Sequence, residues 1–213
     1  MVNKELKKRI IDIAYKHKLS HLGSYMSCVD IIDWIFKVKA PEDIFILSNG
    51  HAALALYVVL EKYHKHDAEE LFKKHGGHPH LDEENHLYCS TGSLGMGIAA
   101  AVGRALANPS RTVHVMISDG ECAEGVVWES LRFIADSNIK NIKIYAVHNG
   151  YGAYSEIQYD KLQKRLAAFS IGNIAIIGDT QQATEEFPFL KGQNAHYHIM
   201  KDTDYIIATE LLK

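Results

Sequence analysis

Residues 111–148 read RTVHVMISDGECAEGVVWESLRFIADSNIKNIKIYAVH, and this stretch decides the fold. RTVHVMIS is an apolar, strand-like run that stops at the turn signal DGE. EGVVWESLRFIADSN then spaces its apolar residues as an amphipathic helix, and NIKIYAVH returns as a second strand. Strand, helix, strand is the unit of a parallel sheet, because parallel neighbours need a crossover that carries the chain back. Upstream, DIFILS after Pro41, the turn NGH and the helical run AALALYVVLEKYHKH form a strand, turn and helix of the same kind. Leu6, Ile10, Ile13 and Ala14 mark one helix before it, and Ser27 with Asp30 three residues on announces a second by a capping-box pattern. Between the units lie a polar loop, GGHPHLDEENHLYCS, and TGSLGMG opening the helix IAAAVGRALAN. Past Asn149 the pattern predicts a helix over Tyr159 to Phe169, an apolar run IGNIAIIG and a last helix from Asp202 to Leu212. The predicted class is α/β, an open, mostly parallel sheet with helices on both faces.

The chain has 213 residues, 47% hydrophobic and 23% charged, enough for one sizeable core and read as one domain over 1–213. A net charge of -3 offers no field for wrapping a nucleic-acid backbone. Cysteines at 28, 89 and 122 are odd in number and lack CxxC spacing, which argues against a disulfide scaffold or a structural zinc site and fits the cytoplasm. The longest apolar run, Ala52 to Leu60, is too short to span a bilayer, so no membrane role is expected.

Asp119 ends one predicted strand and Asn149 the next, with one helix between them. A right-handed crossover brings both to the carboxyl edge of the sheet. A carboxylate, an amide oxygen and a backbone carbonyl from the loop after Asn149 make an oxygen-only half-shell suited to Mg²⁺ or Ca²⁺, open on one side for phosphate oxygens and water. A helix cap at Asp119 and an ordinary turn at Asn149-Gly150 would leave the same trace.

Six motifs in order add to this: LSHLG at 19–23, ILSNGHA at 46–52, GGHP at 76–79, STGSLGMG at 90–97, SDGECAEG at 118–125 and HN at 148–149. Together, over residues 1–155, they resemble the N-terminal half of transketolase. The resemblance implies thiamine diphosphate as cofactor, held through the metal and its diphosphate. It makes Asp119 and Asn149 metal ligands with the backbone carbonyl of Tyr151, and sets Gly120 against the diphosphate. Gly92, Ser93 and Leu94 match the loop beside the cofactor rings. Glu124, counted with the cofactor-binding set, and Glu129 match carboxylates at the dimer interface. His21, His51 and His78 match histidines lining the substrate channel, and His196, with Tyr205 nine residues on, resembles a late histidine near the diphosphate. Imidazoles suit a reaction that takes a hydroxyl proton and later returns one. His64, His66, His75 and His114 are read as surface or capping residues. The tract HGGHPH also suggests a transition-metal site, but the resemblance gives His78 to substrate.

Ser118 replaces the first glycine of the family's GDG, and Ala153 a larger apolar residue. Only 47 residues separate Asn149 from His196, shorter than the family's spacing. No carboxylate matches the glutamate that activates the aminopyrimidine. The resemblance therefore implies a split enzyme, a heterotetramer in which a separate pyrimidine-binding subunit completes the site. Apolar surface is expected around Gly92 to Ala101 and Glu124 to Phe133. The reaction implied is transfer of a two-carbon ketol group from a ketose to an aldose, on sugars or sugar phosphates. Another thiamine-diphosphate-dependent synthase subunit, and a non-catalytic homologue serving as a binding or assembly module, remain open.

Overall fold

The computed structural model describes residues 3–152, 156–169, 174–177, 186–191 and 196–213. It divides into two compact units: the described residues within Met1–Val38, His51–Gly77 and Thr180–Lys213 form one, and those within Lys39–Gly50 and His78–Asp179 the other.

The first unit is helical. It comprises α1 (Lys4–Lys16), α2 (Leu22–Val38), α3 (Ala53–His64), α4 (Ala68–His75) and, last in the chain, α8 (Asp202–Leu211). In α1 the expected stripe Leu6, Ile10, Ile13 and Ala14 is buried. Lys7 is buried beside it, its ammonium 3.1 Å from Glu186 and 3.6 Å from Asp30. The helix α2 begins at Leu22, so Ser27 lies inside it and not at its cap. The apolar period reaches upstream through Leu22, Tyr25 and Met26, and the Ser27 hydroxyl donates to the Ser24 carbonyl at 3.1 Å. Asp30 instead accepts from the Asn3 amide at 2.8 Å. Lys65, at φ 64°, ends α3, and Asp67 caps α4 by accepting from the Glu70 amide at 2.9 Å. That helix lies outside the expected pattern. The helix α8 is docked on α1 by stacked Tyr15 and Tyr205, whose hydroxyls donate to Asp202 and Asp12 at 2.9 and 3.0 Å.

In the second unit β1 (Ile44–Leu47), β2 (Val113–Ser118), β3 (Ile142–Val147) and β4 (Ile174–Ile177) form a sheet in chain order, with every neighbouring pair parallel. Its helices are α5 (Met96–Ala107), α6 (Gly125–Asp136) and α7 (Tyr159–Ala167). One core joins Ile46, Val115, Ile117 and Ile144 of the sheet to Ile98, Val127, Leu131 and Leu162 of the helices. The other face is also closed to solvent: Phe45, Leu47, Met116 and Val147 are buried. Burial on both faces explains why VHVMIS shows no polar alternation. The parallel sheet flanked by helices is the α/β class that the periodicity predicts. Among the described residues no helix is long and apolar enough to cross a membrane, and the three cysteines are unbridged.

His114, on β2, is not the surface or capping residue the sequence suggests but is buried inside a strand, because both faces of the sheet are covered. Its ring bonds the Tyr145 hydroxyl at 2.9 Å and the Asp43 carboxylate at 3.2 Å. Burial pushes its pKa below the ordinary 6.5; Asp43 opposes this, and Lys143 and Lys39 reinforce it. A depressed histidine pKa means that the unfolded chain takes up the proton first, so His114 costs stability as pH falls through 6.5 toward its folded value. Urea midpoints compared at pH 7.5 and 5.5 are expected to fall more in the wild type than in His114→Gln. Equal slopes would remove this role.

Among the described residues, Met96 and Phe133 are the large apolar side chains exposed within the two stretches expected to be apolar surface. Ile98, Val127 and Leu131 there turn inward onto the sheet. A larger exposed group lies toward the C-terminus, at Tyr197, Ile199, Ile206, Ile207 and Leu211.

Candidate functional site

Because the strands are parallel, the turns after β1, β2 and β3 leave the sheet at one edge. The Asp119 amide donates to the Val147 carbonyl at 2.9 Å, extending the ladder by one residue and fixing where the side chain starts. The carboxylate, 2% exposed, accepts from the Gly120 amide at 2.9 Å, Gly150 at 2.8 Å and Asn149 at 3.1 Å. Two turns separated by a whole helix are thus joined at one side chain. Burial pushes the Asp119 pKa up, while the His148 ring and the three backbone N–H groups favour the carboxylate. His148 is itself anchored through Nε2, which donates to the Ile157 carbonyl at 2.8 Å.

The Asn149 side-chain oxygen accepts from the Tyr151 amide at 3.0 Å, which curls the loop and leaves that oxygen a second lone pair. A Cβ placed on Gly120 would stand 3.7 Å from Gly152 Cα and 3.9 Å from the Tyr151 carbonyl oxygen. Gly120 therefore faces the Tyr151 carbonyl across a gap that a side chain would narrow. Asp119, Asn149 and the Tyr151 carbonyl are oxygen donors with one formal charge, a set that fits a hard cation completed by phosphate oxygens and water. Among the described residues no group of three or more His, Cys, Asp or Glu side chains is placed to hold a metal ion. The Cys122 thiol is pushed by burial up to about 12 and stays protonated at neutral pH.

In the same unit, Gly92 has φ 149°, which a side chain rarely adopts, and the His78 ring lies 3.3 Å from where its Cβ would be. His78 and the Gly92 loop are therefore in contact. Ser93 is exposed and Leu94 half-buried, and the Ser93 carbonyl accepts from the Met96 amide at the start of α5. Glu124 and Glu129 are exposed at the start of α6 and within it. Ala153 lies outside the described residues.

In the helical unit three of the four candidate histidines meet. Ring centroids of His21 and His196 are 4.4 Å apart, His21 and His51 5.7 Å, and His51 and His196 5.8 Å. The His21 amide donates to the His196 carbonyl at 2.9 Å, and the His21 ring nitrogen Nδ1 is 2.9 Å from the Ser20 hydroxyl. Burial lowers the His196 pKa. Tyr205 stacks on Tyr15 in α1, and the aromatic ring beside His196 is that of Tyr197, at 4.7 Å.

Two residues escaped the sequence reading. Tyr197 is one, its only signal being adjacency to His196. Glu121 is the other: its carboxylate, 0% exposed, receives hydrogen bonds from Ser48, Gly95 and Ser118. The Ser118 hydroxyl in turn accepts from the Glu121 amide at 3.3 Å, a bond that glycine at 118 would not make.

The family model described as transketolase, thiamine diphosphate binding domain, matches residues 3–206. An apulose-4-phosphate transketolase subunit from Phocaeicola vulgatus is 31% identical over 144 residues, 58% of this chain and 51% of that protein. The 1-deoxy-D-xylulose-5-phosphate synthase of Fusobacterium nucleatum is 31% identical over 150 residues, 68% of this chain and 24% of that one. The chain thus spans about half of the first relative and a quarter of the second. Among solved structures, transketolase from Leishmania mexicana superposes with a TM-score of 0.71 over 98% of this chain and 40% of its own, at 19% identity, a likeness of fold. With the family model covering nearly its whole length, the chain belongs to the transketolase thiamine diphosphate binding domain family.

Proposed function

We propose that residues 1–213 act as the diphosphate-binding domain of a split transketolase, a cytoplasmic transferase that moves a two-carbon ketol group from a ketose to an aldose. The observation that carries this reading is the meeting of the Asp119 turn and the Asn149–Gly152 loop at one buried carboxylate, with Gly120 facing the Tyr151 carbonyl. Asp119, the Asn149 side chain and the Tyr151 carbonyl would hold Mg²⁺ or Ca²⁺, and Gly120 would lie along the diphosphate. Gly92, Ser93 and Leu94 would border the rings, and Glu124 and Glu129 would face the partner chain. Bound thiamine diphosphate supplies an electron sink for cleavage beside a carbonyl. His21, His51, His78 and His196 line the substrate in this reading. Burial keeps His196 neutral at pH 7 and so able to accept a hydroxyl proton, and Ser20 and the His196 carbonyl fix the orientation of His21. The Phocaeicola vulgatus relative is named as one subunit of a transketolase, which supports a separate partner chain here; in this proposal that chain binds the pyrimidine and completes a heterotetramer. The substrate class is a sugar or sugar phosphate.

Similarity to a 1-deoxy-D-xylulose-5-phosphate synthase favours one second reading, a synthase subunit that decarboxylates a 2-oxo acid. The test is to tag this chain, purify it with whatever binds it, and assay the complex with thiamine diphosphate and Mg²⁺. Ketol transfer from a ketose supports the proposal, and turnover of a 2-oxo acid alone selects the synthase. Absence of cofactor binding in calorimetry leaves an assembly module. In the active complex His78→Ala is expected to slow turnover about tenfold, the worth of one hydrogen bond. Its cofactor affinity should stay within twofold; a parallel loss of affinity would take His78 out of the substrate role.

A further inference from the structure

Glu121 has no part in the roles above, yet it accepts as many hydrogen bonds at the sheet edge as Asp119 does. Its Oε1 accepts from the Ser48 hydroxyl at 2.6 Å and from the Gly95 amide at 2.8 Å, and its Oε2 accepts from the Ser118 amide at 3.0 Å. These donors belong to three separate segments: the turn after β1, the end of the 92–95 loop, and the residue before Asp119. A carboxylate without solvent exposure is costly to dehydrate, and three converging donors offset that cost only while the segments keep their spacing.

We infer that Glu121 is a positioning residue that sets the distance between the Asp119 turn and the Gly92–Leu94 loop, and thereby matches the site to the full length of its cofactor. The inference rests on the functional reading above, in which one segment meets the diphosphate and the other the rings. The Asp119 turn has anchors of its own in Val147, Asn149 and Gly150. The glycine loop is tied locally by Thr91 to Pro79 and by Met96 to Ser93, and it reaches the Asp119 turn through Gly95 and Glu121. Loss of the Glu121 carboxylate therefore frees the ring-side loop while the diphosphate end stays in place. Glutamine cannot substitute, because in either orientation its NH2 would face a backbone N–H, that of Gly95 or of Ser118, which can only donate.

The experiment titrates the complex purified through a tag on this chain with two probes, thiamine diphosphate with Mg²⁺ and inorganic pyrophosphate with Mg²⁺. Glu121→Gln is expected to weaken thiamine diphosphate at least tenfold and pyrophosphate less than threefold. Ser48→Ala, which removes one donor and is milder for folding, should show the same order with about a threefold loss for thiamine diphosphate. Equal weakening of both probes in step with the thermal midpoint would make Glu121 merely structural and overturn the inference, as would unchanged binding of both. A wild-type complex that binds neither probe would instead overturn the functional reading itself.

Discussion

Asp119→Asn in the purified complex is expected to lower Mg²⁺-dependent thiamine diphosphate affinity at least a hundredfold while the protein stays folded. The carboxylate is the one formal charge among the three proposed donors, and a hard cation held by an amide and a carbonyl alone competes poorly with water. Asparagine keeps an acceptor oxygen for the Gly150 and Asn149 amides, which bond Asp119 at 2.8 and 3.1 Å. Alanine would strip the acceptor from all three backbone donors, at about 1–3 kcal/mol for each one left buried and unpaired. Burial also raises the Asp119 pKa, so ionising it costs the free protein some stability, and removing the charge relieves that cost. Calorimetry with and without Mg²⁺, beside a denaturant curve, separates the two effects. Full affinity in Asp119→Asn would place the cation elsewhere.

Gly97→Ala is expected to destabilise the chain by about 3 kcal/mol, the upper end for overpacking, although alanine is the better helix former by about 1 kcal/mol. Gly97 lies in the first turn of α5, and a Cβ there would stand 2.5 Å from Ser48 Cα and 2.7 Å from Ser48 Cβ. Ser48 cannot retreat, because its amide donates to the Met116 carbonyl at 2.9 Å and its hydroxyl is held by Glu121. The helix must therefore lift from the end of β1, loosening the core at Ile98. Urea unfolding checks this, and a raised midpoint would show that intrinsic propensity outweighs the contact.

The alternation of strands and helices was legible because each element carries its own period. VHVMIS and IKIYAV are apolar runs of strand length, and VVWESLRFI repeats as a helix. Boundaries were less legible where a local signal competed with packing. Ser27 and Asp30 imitate a cap, yet the buried stripe from Leu22 onward holds the helix together through them. Asp67 and Glu70 are a genuine cap pattern, hidden because the preceding helix reads as continuous to His66 until Lys65 turns left-handed.

Asp119 and Asn149 could be paired from sequence because a right-handed strand–helix–strand crossover brings the turns after both strands to one edge, so position along the chain implies position in space. Glu121 could not. In ECAEG it is indistinguishable from Glu124, and only packing turns one inward and leaves the other in solvent. Its partner Ser48 is 73 residues away, and no periodicity links residues at that distance. Local spacing on its own thus determined most of the elements, the parallel class of the sheet and the turns that carry the donors. The tertiary structure alone decided which carboxylate is dehydrated and which distant hydroxyl and amides offset its burial, because desolvation belongs to the folded surroundings of a group and leaves no mark on its immediate neighbours in the chain.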